Sequence, residues 1–86
     1  MDINQLINTI KKKISDSINI ESIIIEDKTF LHKKHDSFRK DKFHIKIIIK
    51  SEELRKKQKI EATKLVHSIL IEEIKNYIHS IQIFFE

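Results

Sequence analysis

Five histidines, His32, His35, His44, His67 and His79, carry most of the metal-binding chemistry this chain of 86 residues can offer. Cysteine is absent, so the chain alone supplies no thiolate nucleophile, no disulfide and no Cys-ligated zinc or iron-sulfur site. Any metal would rest on imidazole and carboxylate. Imidazole suits Zn, Cu and Fe, and two or three neutral rings make an open site whose remaining ligands a partner must bring. Surface histidines are common and a His-x-x-His spacing on a loop is a weak motif, so residue types alone leave a metal site and ordinary surface histidines both open. A hydrolytic zinc site would further need a carboxylate base in a cleft. Asp27 and Asp36 are the candidates, but nothing in the chain shapes a substrate pocket, and the expectation is a protein that is not an enzyme and takes no small-molecule substrate.

Composition narrows the field further. Glycine is absent, which removes the Walker loop, the dinucleotide fingerprint and the glycine-rich clamp with which KH domains hold nucleic acid. A chain of this length buries only about 60% of the surface its unfolded form exposes, enough for one modest core and a single domain spanning residues 1–86. Lysine outnumbers arginine 15 to 2 and isoleucine occurs 20 times, a pairing that codon bias toward A and T would produce without selection for nucleic acid. The net charge of +4 is a weak signal. No apolar run approaches the roughly 20 residues that span a bilayer, and the first residues lack a basic-then-apolar signal pattern. The expectation is a cytoplasmic protein without membrane contact.

The histidines must be positioned by the elements around them. Over residues 2–17, Ile3, Leu6, Ile7, Ile10 and Ile14 recur at three and four, one stripe of an amphipathic helix with Asp2 as N-cap. Lys11, Lys12 and Lys13 read as its solvated face. A β-branched strand follows near 20–26. Residues 27–42 are polar, basic and without periodicity, a long connection of the kind that tends to carry function. Phe43, Ile45, Ile47 and Ile49 then alternate with His44, Lys46, Ile48 and Lys50, a half-buried strand over 43–50. Ser51 caps a short turn at Ser-Glu-Glu-Leu. Ala62, Leu65, Val66, Ile69, Leu70 and Ile74 form one stripe of a long helix over 57–75, and alternation resumes in a closing strand near 80–85. The result is an α+β fold, a KH-like (type II) α-β-β-α-α-β sandwich with a three-stranded mixed sheet packed on two main helices.

Connection rules locate the histidines. Strands one and two, joined without a helix, pair antiparallel; strands two and three, joined by a helix, run parallel. The third strand therefore begins at the end of the sheet where the 27–42 loop sits. His79, His44, His32 and His35 converge there, and His67 lies apart on the long helix.

From Ile24 onward the chain resembles the BolA family. Members of that family carry an acidic D-E-S segment, an H-x-G-H loop, a T-H-F strand start, a V-S-x-x-F turn, a helix with L-V and L-x-E-E-L, and a closing I-H-A-L. Here the corresponding residues are Asp27-Lys28-Thr29, His32-Lys33-Lys34-His35, Phe43-His44-Ile45, Lys50-Ser51-Glu52-Glu53-Leu54, Leu65-Val66, Leu70-Ile71-Glu72-Glu73-Ile74 and Ile78-His79-Ser80-Ile81. The resemblance implies a partner, a monothiol glutaredoxin, and a [2Fe-2S] cluster shared with it and with glutathione, serving iron-sulfur trafficking or iron regulation. It implies His32 and His79 as the bridging ligands from this chain, with His35 as the alternative loop ligand, and no cluster on the chain alone. The family's loop Gly is Lys34 here, its Gly-Lys after the turn is Lys56-Lys57, and its Arg-His-Arg is Ala62-Thr63-Lys64.

A second reading comes from the KH-like topology and the basic run at the start of the long helix. Arg55, Lys56, Lys57 and Lys59 could meet phosphates of DNA or RNA, as in a transcriptional regulator. Without the glycine clamp such binding is expected to be weak and sensitive to salt.

Overall fold

The computed structural model describes residues 1–29 and 42–86. The first helix, α1, spans Ile3–Ser17 and starts where the sequence places it. Asp2 Oδ1 accepts from the Gln5 N–H at 2.8 Å while Gln5 Oε1 accepts from the Asp2 N–H at 3.0 Å, a reciprocal cap that satisfies two otherwise orphaned donors. Leu6, Ile10 and Ile14 of its apolar stripe are fully buried. Ile18 leaves the helix in extended conformation and is itself buried.

Strand β1 covers Ser22–Asp27 and β2 covers Phe43–Lys50. The first strand therefore starts two residues later than its β-branched run predicts. Only the Glu21 N–H joins the ladder before it, on the Lys50 carbonyl, while Ile20 packs sideways against the core. Ser51 then caps the short helix α2, Glu52–Arg55, with its hydroxyl accepting from the Leu54 N–H at 3.3 Å. The same hydroxyl donates to the Asn19 carbonyl at 2.8 Å, so one fully buried serine joins two connections.

The single long helix expected over 57–75 is two helices, α3 at Lys59–Ile69 and α4 at Ile71–Asn76. The Ser68 hydroxyl donates to the Leu65 carbonyl at 2.7 Å just before the break, and the Leu70 N–H still reaches the Val66 carbonyl at 3.1 Å. Leu70, fully buried, takes up the bend at φ −101° and ψ 18°. Strand β3, Ile78–Phe85, closes the chain.

The sheet order is β1-β2-β3, with β1 antiparallel and β3 parallel to the central β2, as the connection rules require. Ile45, Ile47 and Ile49 of β2 bury one face of the sheet against α1 and α3. Leu54, Ala62, Val66, Leu70 and Ile78 complete that core. The opposite face carries Ile24, Lys46 and Phe84, with the Lys46 Nζ 5.1 Å from the Phe84 ring centroid. The three lysines of α1 are not all a solvated face. Lys13 pairs with Glu73 of α4, a residue only 5% exposed.

Candidate metal centre

His79 owes its position to an irregularity in the third strand. Phe43 pairs with Ile78 and His44 with Ser80, so a single step along β2 faces two steps along β3 and His79 is the extra residue. Such a bulge re-aims side chains and is frequent beside functional sites. Ile78 is buried and Ile81 packs against the core, so the two residues between them, His79 and Ser80, both lie on the exposed side. A regular strand would have turned one of the pair inward.

His44 stands beside this bulge. Its imidazole Nδ1 shares a hydrogen bond with Ser80 Oγ at 2.6 Å, and its ring centroid lies 5.0 Å from that of His79, tilted by 59°. The ring is buried, with 5% exposure. Its backbone is held as well, the N–H donating to Thr29 Oγ1 at 3.1 Å and the carbonyl accepting from the Lys28 N–H at 2.7 Å.

Thr29 in turn is folded onto Asp27. Its N–H donates to Asp27 Oδ1 at 2.9 Å and its hydroxyl donates to the same oxygen. Asp27, weighed from sequence as a carboxylate base, is therefore the anchor of a turn. On the far side of the connection the Phe43 N–H donates to the Tyr77 carbonyl at 2.8 Å and the Lys42 ammonium to the Lys75 carbonyl at 3.3 Å. Thr29, Lys42, His44 and His79 thus share one end of the sheet. His32, His35 and Asp36 lie outside the described residues. His67 is exposed on α3 and makes no ring contact with the pair.

The described residues contain no group of three or more His, Cys, Asp or Glu side chains placed to hold a metal ion. His44 and His79 are a pair of imidazoles, one buried and one exposed.

The basic cluster is elsewhere. Arg55 ends α2, Lys56 caps it and Lys59 opens α3, beside the far ends of β2 and β3. At about 3.3 Å per residue, the length of β2 separates this region from His44 by roughly 20 Å. The Arg55 guanidinium is already engaged, with Nη1 donating to the Glu86 carbonyl at 2.8 Å and Nη2 to Glu21 Oε1 at 3.3 Å. Arg55, Lys57 and Lys59 surround a cavity of about 300 Å³ with an apolar floor of Leu54, Ala62, Phe84 and Phe85.

A family model described as BolA-like protein matches residues 14–85, which is most of the chain. The chain belongs to the BolA family. The BolA domain of SufE1 from Arabidopsis thaliana superposes with a TM-score of 0.79 at 20% identity, covering 100% of this chain and 94% of that one. BolA1 from Arabidopsis thaliana gives 0.79 at 19% identity, over 93% of this chain and 88% of its own. A bol-like protein from Babesia bovis gives 0.70 at 13% identity, over 91% and 79%. At these identities the likeness establishes the fold. No curated protein matches the sequence. No helix among the described residues is long and apolar enough to cross a membrane.

The BolA fold thus places His79 as its sequence predicts and adds a feature that the sequence reading missed. The signal was available. Ile78 and Ile81 are three apart where Ile81, Ile83 and Phe85 are two apart, and a break of that kind in an alternating strand marks a bulge.

Proposed function

We propose that this BolA-like protein is a non-enzymatic adaptor that pairs with a monothiol glutaredoxin and co-ligates a bridging [2Fe-2S] cluster, in iron-sulfur trafficking or iron regulation. Family membership supports the reading, and the observation that carries it is the exposed His79 on its bulge, at the end of the sheet from which residues 30–41 depart. His79 supplies one imidazole and His32 the other, with His35 as the alternative from the same segment. The partner's cysteine and the glutathione thiol complete the set. A [2Fe-2S] core takes four protein-side ligands, and a chain without cysteine contributes at most part of them.

The residues fit this role chemically. Neutral imidazole is a ligand for iron, and the exposed His79 ring offers one. When bound, the cluster would supply one-electron redox or transferable iron and sulfide; the chain's part is to present imidazole nitrogen at an accessible edge. Titration of the protein with a monothiol glutaredoxin, glutathione, ferrous iron and sulfide, followed by visible absorption and circular dichroism, tests the reading. A spectrum distinct from that of the glutaredoxin alone supports it, and an unchanged glutaredoxin spectrum contradicts it.

One observation favours a second reading. The cavity between Arg55, Lys57 and Lys59 joins cations to an apolar floor, a combination that could hold a phosphate and its attached base, as in weak binding of DNA or RNA. Lys56 extends the same basic surface. Engagement of Arg55 by Glu21 and the Glu86 carbonyl removes part of the charge from this surface, and the adaptor reading is preferred.

A further inference from the structure

We propose that His44 is the positioning residue of the site: by bonding Ser80 and packing against His79, it holds the bulged end of β3 so that the His79 ring is oriented before any metal arrives. The inference rests on the reading of His79 as a ligand and adds a residue that this reading does not use.

A bulged residue lacks a regular ladder partner, and its direction depends on whatever clasps its neighbours. The step from Phe43 to His44 faces the step from Ile78 to Ser80, and His79 lies between these two pairs. Ile78 is fixed by burial in the core. Ser80 is exposed, and its side chain is fixed by the 2.6 Å bond to His44 Nδ1. The exposed His79 ring is then bounded on one side by the His44 ring at 5.0 Å, inside the range of favourable tilted ring pairs.

His44 is suited to this because its own surroundings hold it on several sides, through burial, the Thr29 and Lys28 backbone bonds and the Ser80 bond. An apolar ring at position 44 would fill the same volume and leave Ser80 without that partner. Ligand geometry set by residues that do not themselves bind the metal is a general feature of metal sites, and losing one such residue typically costs roughly 10- to 100-fold in affinity.

The test uses the full chain in four forms: parent, His44→Ala, His44→Asn and Ser80→Ala. Three-bond couplings that report the χ1 rotamer of His79 are measured by NMR on the protein alone, with backbone amide shifts as the check on fold. The parent is expected to show a single rotamer. His44→Ala averages it, Ser80→Ala averages it in part, and His44→Asn, which keeps a hydrogen-bonding atom near the Nδ1 position, restores it. Ser80 is exposed, so Ser80→Ala remains informative if His44→Ala fails to fold.

In the reconstituted complex with glutaredoxin and glutathione, His44→Ala should weaken cluster retention by roughly 10- to 100-fold and His44→Asn by much less. An averaged His79 rotamer in the parent, or an unchanged one in folded His44→Ala and Ser80→Ala, overturns the proposal. So does an averaged rotamer with undiminished cluster retention. Failure of the underlying reading shows separately, as a normal heteromeric cluster in His79→Ala, because the couplings are measured without any cluster.

Discussion

Lys13 of α1 and Glu73 of α4 form an ion pair, Nζ 2.7 Å from Oε2 and 3.0 Å from Oε1, that ties the first helix to the last one before β3. The carboxylate is nearly buried, with 6% side-chain exposure, while the lysine is 38% exposed. Removing the lysine strands a desolvated charge, whereas removing the carboxylate frees a lysine that can turn to water. Exposed pairs contribute about 0.2–1 kcal/mol, and breaking fully buried ones costs about 3–5 kcal/mol. Lys13→Ala should therefore cost an intermediate amount, about 1–2 kcal/mol in urea unfolding, and more than Lys12→Ala, whose lysine faces an exposed Asp16. Equal effects of the two substitutions would show that the buried pair contributes nothing beyond a surface one.

Ser51 predicts a second stability effect. Its fully buried hydroxyl caps α2 and reaches back to the Asn19 carbonyl, so Ser51→Ala loses both bonds at once. Loss of a cap costs about 0.5–2 kcal/mol and loss of a second buried bond adds about 1 kcal/mol. Chemical denaturation should register a loss of about 2 kcal/mol, with Ser51→Thr milder. A loss below about 0.5 kcal/mol would show that water replaces both bonds.

The basic cavity leads to a prediction about nucleic acid. Binding of single-stranded DNA or RNA, measured by fluorescence anisotropy, should be micromolar or weaker and fall steeply between about 50 and 200 mM salt, because lysine-phosphate contacts release counterions. Lys57→Ala and Lys59→Ala should weaken it without changing sequence preference. Tight, salt-resistant and sequence-selective binding would promote the second reading over the first.

Redox behaviour supplies another test. A cluster iron held by two neutral imidazoles carries less negative charge than one held by two thiolates, so reduction is less disfavoured, as in Rieske centres. The heteromeric cluster should have a higher reduction potential than the same glutaredoxin's own cluster. An equal potential would mean that thiolates alone hold both irons.

Much of this architecture was legible in the sequence. The three-and-four spacing from Ile3 to Ile14 fixes α1, and Asp2 with Gln5 three residues on marks its start. Alternation from Phe43 to Ile49 fixes β2 and its buried face, and the absence of a helix between the first two strands fixes their antiparallel pairing. The placement of His79 followed from those relations alone. Three features were not legible for physical reasons. The bend at Leu70 falls inside an apolar stripe that runs unbroken across it from Val66 to Ile74. Burial of Glu73 depends on Lys13, sixty residues away in the chain. The role of His44 depends on the contacts of its buried ring with Ser80 and His79, which the break in alternation between Ile78 and Ile81 does not specify.

His79→Ala is the most direct test of iron ligation by this chain. In the presence of a monothiol glutaredoxin, glutathione, iron and sulfide, the parent protein should give a heteromeric cluster spectrum in visible circular dichroism, and His79→Ala should give only the glutaredoxin's own. His32→Ala should lose the heteromeric spectrum too, or keep a weaker form supported by His35, and His67→Ala should behave as the parent. A heteromeric spectrum of normal shape and intensity in folded His79→Ala would contradict the assignment of this histidine to the iron.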